Sequence, residues 1–307
     1  MAGREAAVLN YIKAELWKAL RHRIFWGTTI FLVLCTALFG FLMHSADYVE
    51  LVGGVSVTML TGMLVVPLLV QVVDGGRGET MKNEISFGLS RGGIYGGKLL
   101  SGLLLGLGLC AVLMIGLLGI CFPLLPHDDP EAEAVALGIL GFCLLAAVPV
   151  WCGMFALCHA MAMLFPGAAV WMTAYYLLFF VGQPILAALS SLFTGGSLSP
   201  LLQAILMPYT LLMPPYLSGW LTWEYQLWCW GIGLGWGASA PSWGCCGFSA
   251  GISDKKIRRA RTPGAPLACS RGRTKWRSCV SYYFCFALAW AGGCGLSGGL
   301  CGARPLR

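Results

Sequence analysis

The sequence predicts an all-α, polytopic membrane protein: six transmembrane helices preceded by an amphipathic interfacial helix, with both termini cytoplasmic. Composition is the first observation. Of 307 residues, 58% are hydrophobic and 11% charged, against about 25% charged in an ordinary soluble domain. The mean hydropathy of +0.76 agrees. The second observation is a series of apolar stretches of membrane-spanning length. A helix of about 20 apolar residues crosses the hydrocarbon core, because every backbone amide there must bond within its own segment. The third is that Lys and Arg are confined to a few segments.

Residues 1–23 form the first region. At 100° per residue, Val8, Leu9, Ile12, Leu16, Ala19 and Leu20 share one face, and Glu5, Asn10, Tyr11, Lys18, Arg21 and His22 the other. That pattern describes a helix lying in the cytoplasmic interface and turning into the first span. The following apolar run is longer than the ~7–15 residues of a signal-peptide core, so these residues are expected in the mature protein. Residues 24–250 hold spans at 24–43, 52–73, 99–122, 135–157, 168–190 and 227–250. The sixth is the weakest, because its second half is rich in Gly, Ser and Cys and contains Pro241.

All 20 Lys and Arg residues fall in three segments: before the first span, between spans two and three, and after Gly251. The opposite side carries Asp47, Glu50, Asp128, Asp129, Glu131, Glu133 and Glu224 without any Lys or Arg. Basic residues are retained in the cytoplasm during insertion, which puts both termini inside. The net charge of +7 is therefore read as a positive face against anionic lipid, and no nucleic-acid partner is expected. Cys35, Cys110, Cys143, Cys152 and Cys158 lie in or beside apolar spans, where cysteine packs as a small hydrophobe. No zinc-ligand spacing is present, and no metal is expected.

The loop 74–98 carries the densest charge and glycine of the cytoplasmic side. Within it, Gly92 to Lys98 fits the Gly-x4-Gly-Lys of a phosphate-binding loop. That motif needs a preceding strand, a soluble helix and a Ser or Thr after the lysine; here Leu99 follows and an apolar span begins. A glycine-rich turn into the membrane is the plainer reading. His22, His44, His127 and His159 are scattered, and the carboxylates at 128, 129, 131 and 133 sit among Pro123, Pro126 and Pro130 as an external turn lacking a basic partner. The six spans contain no charged residue; Gln71, Gln183, Thr58, Thr61, Tyr175 and Tyr176 are their notable polar groups, expected as interhelical contacts. Pro67, Pro149 and Pro184 interrupt spans two, four and five.

The order of parts is familiar: an interfacial helix, two spans, a cytoplasmic Glu79-x-x-Lys82-Asn83 segment ending in Ser90-Arg91-x-x-Ile94-Tyr95-x-x-Lys98, then four more spans. Over about residues 5–235 this resembles the permease subunits of type-2 ATP-binding-cassette (ABC) exporters, such as the bacitracin and lantibiotic immunity permeases. The resemblance implies a coupling helix in the loop that docks into a separate ATPase subunit. It makes Glu79, Lys82, Asn83, Arg91, Tyr95 and Lys98 candidates for that contact or its support. It further implies a homodimer or a second permease subunit, no catalytic residue and no bound cofactor in this chain, and ATP with Mg on the partner. The location implied is the cell membrane.

Residues 251–307 depart from the pattern. Seven of the 14 cysteines and eleven basic residues follow residue 237, without helical periodicity. The change suggests an altered reading frame: if Ile252 to Ile257 is encoded ATT TCA GAC AAA AAG ATN, dropping two bases reads Phe-Arg-Gln-Lys-Asp, the kind of basic ending the family has. The alternative is a true tail with a seventh span at 280–300, which sets Arg304 and Arg307 on the outside against the charge rule. Two other functions compete, a stand-alone secondary transporter and a membrane enzyme. The first calls for an intramembrane ionisable group and an internal repeat, the second for convergent polar residues at one depth. The apolar spans suit a hydrophobic or amphipathic cargo, such as an antimicrobial peptide, drug or lipid-like molecule.

Overall fold

The computed structural model describes residues 2–43, 47–74, 84, 90–165, 167–194, 200–212 and 222–240. All of them belong to the first of two units, Met1–Lys255; nothing in the second, Lys256–Arg307, is among the described residues. The basic tail, its frame and the alternative seventh span at 280–300 therefore lie outside them. Among the described residues the chain is helical, with no strand. In chain order the helices are α1 (Ala2–Arg21), α2 (Arg23–Leu42), α3 (Tyr48–Val57), α4 (Gly62–Asp74), α5 (Arg91–Cys121), α6 (Pro130–Leu164), α7 (Ala168–Thr194), α8 (Pro200–Leu206) and α9 over residues 223–240. A 3-10 turn, Thr58–Thr61, joins α3 to α4, and a second, Pro208–Leu212, follows α8.

Four segments are long and apolar enough to cross a membrane: Arg23–Leu42, Tyr48–Asp74, Gly92–Cys121 and Pro130–Leu164. A fifth arises if Ala168–Gly182 and Pro184–Leu192, which meet at a 53° bend, form one span. These long apolar helices are compatible with a membrane protein. The bend falls beside Pro184, where the missing amide opens the helix. The sixth expected span corresponds to α9, which over its described residues, 223–240, is not apolar enough to qualify; the rest of that span lies outside the described residues.

Several expected limits are corrected. Spans two, three and four were drawn to stop where the first charged or polar residue appears, yet the helices run on to Asp74, back to Arg91 and forward to Leu164. α6 ends at Leu164 and α7 begins at Ala168, so the helices close in on the expected connection from both sides, with Gly167 at φ 100°, the left-handed region that glycine tolerates. Gly92, Gly93, Gly96 and Gly97 are helical, not a turn: Ser90 caps the N-terminus, its Oγ accepting from the Gly93 amide at 3.1 Å. On α1 the buried face is Ile12, Glu15 and Ala19, while Leu9, Trp17 and Leu20 are exposed. Tyr11, assigned by periodicity to the polar face, instead packs over Gly97 of α5, where a Cβ would lie 2.5 Å from its ring. The helix thus uses one side for α5 and leaves another apolar side open, which a single amphipathic stripe does not anticipate.

The tyrosines at 175 and 176 have a specific task. Pro67 lacks an amide hydrogen and its ring crowds the carbonyl four residues earlier, so Met63 O loses its helical donor. Tyr175 donates to Met63 O at 3.1 Å and Tyr176 to Leu64 O at 2.9 Å. In an apolar surrounding each unpaired carbonyl costs several kcal/mol, so α7 is fastened where α4 needs donors. Tyr175→Phe is expected to lower stability by about 1–3 kcal/mol. In a Pro67→Ala background, where the amide returns, the same change should cost much less; a double-mutant cycle followed by denaturant unfolding in micelles measures the difference. A parallel case is Trp151 of α6, which donates to Met59 O at 3.1 Å where the 3-10 turn interrupts the ladder.

Candidate functional site

Charged side chains gather at one end of the bundle. Asp74, the last residue of α4, places Oδ2 2.9 Å from Nδ1 of His159 on α6, and both side chains are 1% exposed. The ring of Tyr95, on the second turn of α5, lies 4.7 Å from the His159 ring. One turn along α5, Lys98 is buried and its Nζ is 3.3 Å from Oε1 of Glu84. A buried ammonium is disfavoured by desolvation, so a carboxylate partner is required. Glu84 supplies it.

From α1, Tyr11 and the buried Glu15 face the same cluster. Burial holds the Tyr11 phenol well above its ordinary pKa, and the negative charges of Glu15, Glu84 and Asp74 add to the effect. Lys18 pairs with Glu15 at 3.4 Å. Ser101 of α5 donates to Gly97 O at 2.7 Å and lies 3.5 Å from Ile12 O of α1. Around this polar set, Ala19, Phe25, Val72 and Leu105 close a core from α1, α2, α4 and α5, and Ala156, Ala160 and Ala240 a second one from α6 and α9. The cluster therefore ties α1, the end of α4, the start of α5 and the C-terminal part of α6 into one buried assembly.

Chemically, the set is built for oriented, charged packing. Two acid–base pairs are buried, with the Tyr11 phenol kept protonated between them. Among the described residues no group of three or more His, Cys, Asp and Glu side chains could hold a metal ion, and the seven described cysteines are free thiols.

The residues singled out from sequence divide. Tyr95 and Lys98 are here, at 4% and 1% exposure, so they brace the cluster from within and do not form an outer contact surface. Arg91 begins α5. Glu79, Lys82 and Asn83 lie outside the described residues. Asp74, His159, Glu84, Glu15 and Tyr11 were missed. A signal for two of them exists: successive spans alternate in direction, so the ends of spans two and four fall on one side, bringing Asp74 and His159 to the same level.

Comparisons with known proteins add no assignment. No protein-family model matches the chain, and no curated protein matches it. At the opposite end of α6, the carboxylate turn also differs from its expected form: it has a basic partner, because His127 Nδ1 lies 2.7 Å from Glu133 Oε1. Asp129 caps α6, accepting from the amides of Glu131 and Ala132.

Proposed function

We propose that the chain is the membrane permease subunit of an ABC export system, driven by ATP that a separate ATPase subunit binds and hydrolyses with Mg. The observation that carries this reading is the buried charged cluster at the root of residues 75–98. A loop that only connected two spans would need no buried lysine, carboxylate and histidine anchoring its base to α1 and α6. A loop that receives force needs such a foundation, because a push on it must move helices and not merely bend the loop. Tyr95 and Lys98 then serve as the support, while Glu79, Lys82, Asn83 and Arg91 are the contact to the ATPase.

In this reading the chain sits in the cell membrane as six spans with cytoplasmic termini. It pairs with itself or a second permease, because one such bundle is half of a pathway. The exposed Leu9, Trp17 and Leu20 of α1, with Arg21 stacked 4.3 Å over the Trp17 ring, suit a helix resting in a lipid headgroup layer. The cargo is amphipathic or apolar, a peptide antibiotic, drug or lipid-like molecule. A membrane enzyme is disfavoured because the Asp74–His159 pair is 1% exposed and so is closed to a substrate. A secondary transporter gains some ground from the buried Asp74 and His159, since such groups carry protons in transporters, but their position at one end of the helices, beside the loop, fits anchoring better.

Co-expression with the ATPase encoded beside it provides the test. The ATPase is expected to co-purify with the wild-type chain and to be lost at least about tenfold, or ~1.4 kcal/mol, with Glu79, Lys82 and Asn83 changed together to Ala. Failure of any ATPase to bind, or binding indifferent to that change, contradicts the reading.

A further inference from the structure

The turn between α5 and α6 carries a histidine whose two ring nitrogens both face acceptors. His127 Nδ1 is 2.7 Å from the Glu133 carboxylate, and Nε2 is 2.6 Å from the carbonyl oxygen of Phe122. A neutral imidazole has one N–H and one lone pair, so it satisfies only one of these; the imidazolium donates to both. The ring also lies between aromatic neighbours, 4.5 Å from the Phe122 ring and 5.3 Å from that of Tyr48. Tyr48 opens α3, and its amide donates to Pro126 O in the same turn at 3.3 Å. His127 is thus the point at which the end of α5, the start of α6 and the start of α3 are held together.

We propose that His127 is a proton-operated clasp: as the imidazolium it locks the α5–α6 turn onto the N-terminus of α3, and loss of its proton releases that turn. The charged and titratable groups around it all favour the cation. Glu133 contacts it from α6, and Glu131, Asp129 and Asp128 are exposed on the turn and the first turn of α6. Asp47 and Glu50 cap and begin α3, and Tyr48 and Cys121 complete the surround. No Lys or Arg lies between residues 47 and 74 or between 99 and 164.

In agreement, the His127 pKa is raised, first by the Phe122 carbonyl and then by Glu133, against a small opposing effect of burial. A histidine raised on folding contributes stability that is fully present below its unfolded pKa of about 6.5 and is lost as pH rises through the folded value. The clasp therefore closes in acid and opens at a pH above about 6.5.

Hydrogen exchange of the amides of residues 122–129, corrected for intrinsic pH dependence, reads the clasp in the purified full chain in micelles. Protection is expected to fall by about tenfold for each pH unit by which the folded ring titrates above ~6.5. In H127Q the fall disappears, because Gln does not titrate. In E133Q, which keeps an acceptor at the site, the midpoint moves to lower pH. Side-chain 15N resonances of histidine, assigned with H127Q, give that midpoint independently. A midpoint at or below 6.5, or an unchanged pH profile in H127Q, overturns the proposal.

Discussion

Changing His159 to Leu is expected to lower the unfolding free energy of the chain by about 3–5 kcal/mol, the range for breaking a buried ion pair by removing one partner. The cause is the charge left behind. Asp74 is 1% exposed beside His159 at 2.9 Å, and without the imidazole its carboxylate loses that partner while staying out of water. Asp74→Leu should cost a similar amount from the other side. Removing both together, Asp74→Leu with His159→Leu, replaces the pair by apolar volume and is expected to recover most of the loss. SDS titration of the purified chain in mixed micelles, followed by tryptophan fluorescence, gives all four corners of the cycle. A coupling below about 0.5 kcal/mol, the scale of additivity between independent sites, would mean that the two side chains are neighbours without being partners.

The second large effect is expected where α6 and α9 touch backbone to backbone. A Cβ built on Gly233 would lie 2.4 Å from Pro149 O, and one on Gly153 2.6 Å from Gly233 O. Neither obstacle is a flexible side chain, so the helices must separate. Gly→Ala in a helix interior ordinarily stabilises by roughly 0.8–1 kcal/mol. At Gly233 the same change is expected to destabilise by about 1–3 kcal/mol, as overpacking does. Gly231 and Gly235 on the same helix have nothing within 4 Å of a built Cβ, so Gly231→Ala and Gly235→Ala keep the favourable sign. Opposite signs at positions two residues apart, measured by the same titration, test the α6 to α9 contact; equal signs at all three contradict it.

The helical class was legible because apolar run length is a strong signal, and four of the expected spans coincide with helices long and apolar enough to cross. Their ends were not legible. Hydropathy stops a span at the first charge, but Asp74, Lys98 and His159 remain helical and buried because partners from other helices neutralise or contact them. Those pairings cross 14 and 85 positions of sequence and leave no local trace. The same holds for Tyr11: periodicity assigns a tyrosine to the polar side, and only the bare backbone at Gly97 makes room for its ring. The tyrosines at 175 and 176 were readable as interhelical contacts, but their acceptors, Met63 O, which Pro67 cannot serve, and the neighbouring Leu64 O, needed the helices in position. The glycines before Lys98 misled once, as a turn, since a capping Ser90 lets helix start through them.

The cluster of Asp74, Glu84, Lys98 and His159 matters in this account because it roots a loop that meets an ATPase. Reconstituting the chain with the ATPase encoded beside it, in liposomes, and measuring ATP turnover tests that claim most directly. The account predicts that the wild-type chain changes the ATPase kcat and that the chain with Glu79, Lys82 and Asn83 changed to Ala, folded and inserted as before, does not. An ATPase rate identical with wild-type chain, altered chain and empty liposomes would contradict it.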